Sequence, residues 1–565
     1  MSRIIFGEYE QTRTTIERGN SIVIGVFFDG TGNNRKNVRA YKAYKGEAIE
    51  MDEGEDIETY KKAYKKHEDD NHGDNSYNSD ESNVSRLEPH YLADDPKVFK
   101  LYIEGIGTEN FKGDAGAGSA FGQGSTGVPA RVEEACKRIV SEILPKVKSD
   151  PKDENGFKLI DQVYFDVYGF SRGAVAARHF VSQVKKSASH YEYYSREEAE
   201  LQVIDIPAYG YLGKALEEAE TAINTIKIGF AGLYDSVSAY GMNHSKDHTD
   251  LQLNQMYHAN KTVHLIAQDE IRYNFDLTGI ESAGAKGITI SLPGVHSDIG
   301  GGYLENISQE DTLLWDLSNK EEKAESVRSS FIAEGWYKGH EINIEDGWVR
   351  DEVWGRRKNL TNQYSVIALQ LMAKLSTKHL AKINTATLND KFKVKGDLLT
   401  EVQKRLQTEF KAKNTKGTLA IDLLKFSSKQ NEKELLEQKN EKIAKFIKEY
   451  KTKEAKKTKE RVQNNSLIID SKMLEHPKDN TNVVSPVRKE YQLKKLVEKV
   501  DYKTLSDTQL VRALRNQYLH ISFSYKNIEP SSWWHYTPVI HEILRLQEPM
   551  QPRKDGKREI YDDTK

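Results

Sequence analysis

At 565 residues and 64.5 kDa the chain is too long for one compact core, since a domain takes roughly 100 to 200 residues, and two to four units are expected. Its 83 Lys and Arg stand against 86 Asp and Glu, a net charge of −3, which excludes a global field drawing it to nucleic acid or to an anionic membrane. One cysteine, Cys136, excludes an internal disulfide framework and any four-thiolate zinc site.

Met1 to Thr15 offers only the apolar patch Ile4-Ile5-Phe6, whereas a secretory signal needs about 7 to 15 apolar residues, so synthesis in the cytoplasm without a signal peptide is expected. Apolar runs such as Ile22 to Phe28 are strand-sized, far short of the roughly 18 residues of a membrane-spanning helix. Runs of this kind recur at Ser21 to Phe28, Val98 to Glu104, Gln162 to Tyr168, Ile226 to Tyr234, Thr262 to Ala267 and Gly287 to Leu292, and read as buried strands. Helical patterns at Pro129 to Val147 and Ser171 to Lys185 lie between them. Strands alternating with helices predict an α/β core, residues 1–305, on a mostly parallel sheet.

Residues from about 40 to 92 are acidic and rich in Tyr and Asn, and read as a polar surface insertion. Its His67, Asp69, Asp70, His72 and Asp74 fit neither EF-hand nor zinc-helix spacing, and a solvated loop is expected. After Tyr303 amphipathic helical patterns dominate, through Tyr364 to Leu380 and a Lys-rich stretch from Lys391 to Arg461, so residues 306–565 are expected to form a mainly helical accessory region in contact with a membrane or a partner. Glu401 to Asp470 holds 18 basic against 11 acidic residues, interleaved at helical spacing. Trp533-Trp534 is a candidate lipid anchor within it. Gly122-x-Gly-x-x-Gly127 formally matches a dinucleotide fingerprint, but no strand enters it, and a flexible loop is expected.

The chemistry concentrates at Gly169-Phe170-Ser171-Arg172-Gly173, where a strand runs into G-x-S-x-G and a helix of small residues. Such an elbow holds its serine in a strained turn, with glycines where a Cβ would collide and the N–H of Arg172 facing a developing oxyanion. Gly30 or Thr31, after the first strand, would give the second oxyanion N–H. A serine needs a histidine base and an orienting carboxylate, in the chain order Ser, acid, His. Asp235 ends the strand-like Ile228 to Tyr234, and His296 follows Pro293-Gly294-Val295 after another strand. Asp298 is the competing acid, disfavoured on the expectation that its side chain and that of His296, two residues apart on the loop, point away from each other. His264 and His179 read as core histidines. A different class is open at Phe27-Phe28-Asp29-Gly30-Thr31-Gly32: Asp29 could serve as a phosphatase nucleophile, although the second acid two residues away is absent. A non-catalytic partner-binding protein is the third reading.

Phe28-Asp29-Gly30-Thr31-Gly32-Asn33, Gly105-Ile106-Gly107-Thr108, Gly169 to Gly173, Tyr234-Asp235-Ser236-Val237, His264 to Ala267 with Asp269-Glu270, and Pro293 to Tyr303 stand in the order typical of the bacterial type VI secretion phospholipase effectors, family one, which the segment Ser21 to Tyr303 resembles. The resemblance implies an α/β-hydrolase fold with the triad Ser171, Asp235 and His296, acting as a phospholipase A1 or A2 on membrane phospholipid without a metal or cofactor. It also implies an antibacterial toxin carried by a type VI spike protein into a target cell's periplasm and neutralised by a cognate immunity protein, with no nucleic-acid partner.

Overall fold

A computed structural model describes residues 21–430 apart from internal stretches, the longest being 115–123, 148–157 and 239–249, together with a few positions at 433–437 and residues 500–524 and 557–564. Strand β1 (Ser21–Phe28) is buried along its whole length, as an apolar run without alternation demands of a strand covered on both faces. With β2 (Val98–Ile103), β3 (Lys158–Phe170), β4 (Thr221–Tyr234), β5 (Ala259–Ala267), β6 (Gly287–Leu292) and β7 (Ala420–Asp422) it forms a seven-stranded sheet in the order β7-β6-β5-β4-β3-β1-β2. Every pairing in that sheet is parallel, so the core is α/β. Strands β3 and β4 start earlier than their apolar runs, because mixed polar and apolar residues ahead of those runs pair with one another, Lys158 opposite Thr221 and Ile160 opposite Ile223.

Alternate side chains of β1 enter opposite layers. Ile22, Ile24, Val26 and Phe28 join a buried cluster with Val132 and Ile139 and with Val175 and Phe180 of the helix Arg172–Val184. On the other face Phe27 stacks on Tyr168 at 4.7 Å, and Phe230 stacks on His379, just beyond the buried helix Ser365–Lys378. β1 leads outward to β2 on one side and β3 leads to β4 on the other, so the connections diverge between β1 and β3, the place at whose carboxyl ends open α/β sheets bind ligands.

Two expectations change. The 40–92 insertion is not all solvated loop: the helices Arg35–Tyr44 and Ile57–His67 bury Ala40, Ala43, Tyr60, Ala63 and Tyr64 with Tyr77 in a small aromatic cluster. Of the metal-like residues, His67 is bonded through its ring to the Phe111 carbonyl, and 69–75 lie outside the described residues. The part beyond 305 holds strands as well as helices among the described residues. Strands Ile307–Trp315, Asp351–Leu360 and Ile342–Asp346 form an antiparallel sheet, the middle one alternating buried Val353, Gly355 and Arg357 with the less buried Glu352, Trp354, Arg356 and Lys358.

Contacts divide the chain at Lys425 and Ala513 rather than at 305: one compact unit holds the residues up to Lys425 with Ala513–Lys565, and another holds Phe426–Arg512. Residues 438–461 of the Lys-rich stretch, and Trp533-Trp534, lie outside the described residues. Among the described residues no helix is long and apolar enough to cross a membrane.

The elbow sets the tightest packing. A Cβ at Gly173 would stand 2.5 Å from the Phe28 carbonyl oxygen, and one at Gly169 would stand 2.5 Å from the Ala174 Cα. Both obstacles are backbone and cannot swing aside. Gly173→Ala should therefore lower stability by about 1–3 kcal/mol or more, as overpacking does; an unchanged urea midpoint would show that β1 and this helix are not held this close.

Candidate active site

β3 ends at Phe170, and Ser171 then takes φ 58° and ψ −128° before the helix Arg172–Val184 begins. A side-chain-bearing residue with positive φ is strained, and the sheet holds it there: the Ser171 N–H donates to the Tyr234 carbonyl at 3.0 Å, and its carbonyl accepts from the Val237 N–H. Asp235, one step past β4, is likewise at φ 43°, its N–H donating to the Leu265 carbonyl at 2.8 Å. Two adjacent parallel strands thus end in two strained polar residues. Among the described residues the hydrogen bonds of Ser171 are all made by its backbone, which leaves its hydroxyl at the head of a 13-residue helix.

His296 opens the short helix His296–Gly300, after β6 and Pro293-Gly294-Val295. Its Nδ1 lies 2.6 Å from Asp235 Oδ2, both side chains buried. The ring sits between Phe170, 4.6 Å centroid to centroid, and Phe275, edge-on at 4.9 Å. Burial lowers the His296 pKa below its ordinary value in spite of Asp235, and Arg272 adds to the effect, so the imidazole is neutral at neutral pH with Nδ1–H on the carboxylate and Nε2 left as a base. Burial alone would raise Asp235, but Arg558 and His296 outweigh it and hold the carboxyl well below the usual carboxylate range.

Asp298 faces elsewhere. Its Oδ2 accepts from the Val295 and His520 N–H groups at 3.1 Å, and its Oδ1 lies 2.6 Å from His520 Nδ1. It caps the helix that carries His296 and makes a second His–Asp pair, with His520 stacked on Tyr303. The other histidines are structural: His264 Nε2 accepts from the Ser236 N–H, burial and the nearby Arg178 pulling it down to about 3, and His179 Nδ1 bonds the Leu251 carbonyl, burial taking it to about 4.

Beneath the elbow, Asp29 is enclosed rather than presented. Ser82 and the Gly30 N–H donate to its Oδ1, and Tyr102 donates to Oδ2 at 2.5 Å; burial raises its pKa against these donors. Gly30's N–H is thereby committed. Thr31 is different: its side-chain oxygen accepts from Arg172 Nε at 2.7 Å, tying the loop after β1 to the residue that follows Ser171.

Three supports were not among the expected site residues. Glu270 accepts from the His296 N–H at 3.2 Å, from Arg272 Nε and Nη2, and from Ser522. Asp269 accepts from the Gly294 N–H at 2.7 Å and from Arg515 at 2.6 Å, clasping the same loop. Arg558 forks onto Asp235, with Nη1 at 2.7 Å from Oδ1 and Nη2 at 2.9 Å from Oδ2. Only the neighbouring Asp269-Glu270 pair was a visible signal; the arginine is 323 positions from its partner. For metals, the grouping with ligand-like spacing among the described residues is Glu281, Asp562 and Asp563, but the Asp563 oxygens are taken by Arg178 and Ser282.

The family model of the T6SS phospholipase effector Tle1-like catalytic domain matches residues 23–319, more than half of the chain. The chain belongs to this family. A structure of the Tle1 effector bound to the VgrG spike from the Type 6 secretion system is similar at 20% identity and TM-score 0.45, covering 73% of this chain and 83% of that one. A crystal structure of a protein from Pseudomonas aeruginosa is similar at 18% identity and TM-score 0.37, covering 68% of this chain and 51% of that one. No curated protein matches. The matched span of this Tle1-like phospholipase domain takes in Asp29, Ser171, Asp235 and His296, and stops short of His520 and Arg558.

Glu270 gives the site a pH signature. Burial would raise its pKa, but Arg272 outweighs burial and holds it at about 2. A carboxyl lowered on folding contributes stability that is complete above about pH 5 and is lost as pH falls towards 2, roughly 3 kcal/mol for a shift of this size. Glu270→Gln should lower the melting temperature at pH 7 and flatten its fall between pH 5 and pH 3. A variant melting curve parallel to the native one across that range would remove Glu270 from the account.

Proposed function

We propose that the site is a serine esterase acting on acyl esters of membrane phospholipids, a phospholipase A, with Ser171 as nucleophile, His296 as base and Asp235 as the orienting acid. The observation that carries it is the hydrogen-bonded His296–Asp235 pair at the carboxyl ends of β4 and β6, beside a strained serine that ends β3. His296 Nε2 takes the Ser171 proton, and Oγ attacks the ester carbonyl carbon. The tetrahedral oxyanion is received by the backbone N–H groups of Arg172 and Thr31. Gly30 leaves the oxyanion role, because its N–H is spent on Asp29. Collapse breaks the ester bond, the lysophospholipid alcoholate takes the proton back from His296, and a water activated by the same base releases the fatty acid. Every charged species in this cycle is a proton or an oxyanion that the chain's own groups can hold.

Membership in a phospholipase effector family of type VI secretion supports the rest of the reading: delivery on a spike protein, action on the envelope of a rival cell, and a cognate immunity protein at home. The phosphatase alternative at Asp29 loses support from that residue's enclosure by Ser82, Tyr102 and Gly30, which leaves no oxygen turned to a substrate.

Ser171→Ala should reduce fatty-acid release from phospholipid by about three or more orders of magnitude with the melting temperature unchanged. Asp235→Asn should be nearly as damaging as His296→Ala, whereas Asp298→Asn should lose less activity and more thermal stability. Phospholipids labelled separately in each acyl chain, with phosphate release measured in parallel, read both class and position. Full activity in Ser171→Ala, or phosphate release abolished by Asp29→Asn alone, would overturn the assignment.

A further inference from the structure

The acid of the proposed triad is held by a part of the chain far from the matched domain. Residues Lys557–Thr564 lie along the segment Leu277–Ser282: Ile560–Tyr561 pair in parallel with Leu277–Thr278, the Leu277 N–H donates to the Glu559 carbonyl at 2.9 Å, and the Gly279 N–H donates to the Tyr561 carbonyl at 2.7 Å. The strap is locked by Asp563, which accepts from Arg178 at 2.8 Å and from the Ser282 N–H at 2.8 Å, both charged side chains being fully buried. One turn of extended chain before that lock, Arg558 donates to the Phe275 carbonyl through Nε and sends both Nη groups to Asp235.

This arrangement saturates the Asp235 carboxylate. Oδ1 accepts from the Ala267 N–H at 2.9 Å and from Arg558, and Oδ2 meets His296 and Arg558. We infer that Arg558 is a positioning residue for the proposed triad, its planar fork fixing the Asp235 carboxylate so that Oδ2 faces His296 Nδ1, and that the strap 557–564 is therefore part of the active site. The inference rests on the triad reading above. A fork with two parallel donors fixes the carboxylate plane, which a single ammonium does not.

The fork also carries charge. A cation on Asp235 opposes the positive imidazolium that forms when His296 accepts a proton, and so keeps the free imidazole available as a base at lower pH. The other groups facing His296 are Glu270 on its backbone N–H and Arg272, paired to Glu270 and stacked over Phe275 at 3.3 Å; Phe170 and Phe275 are neutral, His264 is held neutral in the core, and Asp298 is turned to His520. Removing Arg558 thus leaves Asp235 and Glu270 to stabilise the imidazolium against Arg272 alone.

The test follows the reaction of the full chain with a fluorophosphonate, in which Ser171 Oγ forms a bond to phosphorus, fluoride leaves and His296 takes the hydroxyl proton; the labelled residue is identified by mass spectrometry and the rate is followed from pH 4.5 to pH 9. For Arg558→Gln the acid limb of the rate is expected to move up by about one pH unit and the plateau to fall about tenfold. For Arg558→Lys the limb should stay where the native enzyme has it while the plateau still falls, since charge is kept and the fork is lost. A plateau loss in Arg558→Gln with the limb unmoved would mean a merely structural role and overturn the inference, as would native behaviour in both variants. If Arg558→Gln does not fold, the lysine variant decides: a native plateau, or a displaced limb, overturns it. No label on Ser171 in the native chain would instead overturn the triad reading, so the two failures are distinct.

Discussion

A single ionised carboxylate with no access to water organises this active-site region. Asp235 is fully buried, and an isolated charge there would cost several kcal/mol or be neutralised by taking up a proton. It survives because four donors converge on two oxygens: a backbone N–H at the end of β5, an imidazole from the loop after β6, and both arms of an arginine from the strap at 557–564. Each donor is itself held by neighbours, His296 by Glu270 and Asp298, the strap by Asp563 and Arg178. The sheet, the 293–298 loop and the distant strap are therefore mutually dependent, since loss of any one leaves a buried charge under-compensated.

How much of this was legible depends on the range of each interaction. Strands β1 to β6 declare themselves, because a parallel strand covered on both faces must be apolar at successive positions, and the runs at 21–28 and 287–292 have almost the bounds of the strands. The elbow is legible for a similar reason: Gly169 and Gly173 are demanded by backbone contacts a few residues and one strand away. Asp235 and His296 stand out as polar residues at strand ends. The antiparallel sheet after 305 was hidden because its middle strand, with Arg356, Arg357 and Lys358 in sequence, reads as a solvated helix face; Arg357 is buried, donating to the Trp336 and Arg515 carbonyls. The tyrosine cluster of the 40–92 segment was hidden by composition, since acidic residues flank rings that pack only once the two helices have met.

Asp298 shows an expectation that held for a different reason. Two residues beyond His296, it does not contact that ring, because both lie in the short helix His296–Gly300, where residues two apart do not face each other, whereas an extended loop would have put them on one face. What it does instead depends on His520, 222 positions away, whose backbone N–H and ring both bond the carboxylate. No period or motif ties 298 to 520. The region expected to be an accessory helical part supplies His520, Arg515 and Arg558 to the same neighbourhood, so the site's inner residues and the supports Asp269 and Glu270 come from the family-matched span and further braces from the remainder.

The two strained residues close the argument about rigidity. Ser171 and Asp235 both adopt positive φ where β3 and β4 end, a cost of order 1–3 kcal/mol each, and the structure keeps them there because the ladder does not stop with the strands. Phe170 and Tyr234 are register partners; the Ser171 N–H then reaches the Tyr234 carbonyl, and the Asp235 N–H reaches Leu265 of β5. Each turn is thus over-determined by the neighbouring strand rather than by its own sequence. In the proposed triad a base on a mobile loop could not use a nucleophile held this way unless it were equally fixed, and the Asp235 carboxylate supplies that link: strained and bonded into the sheet on its backbone side, it presents on its side-chain side the oxygen that holds the imidazole.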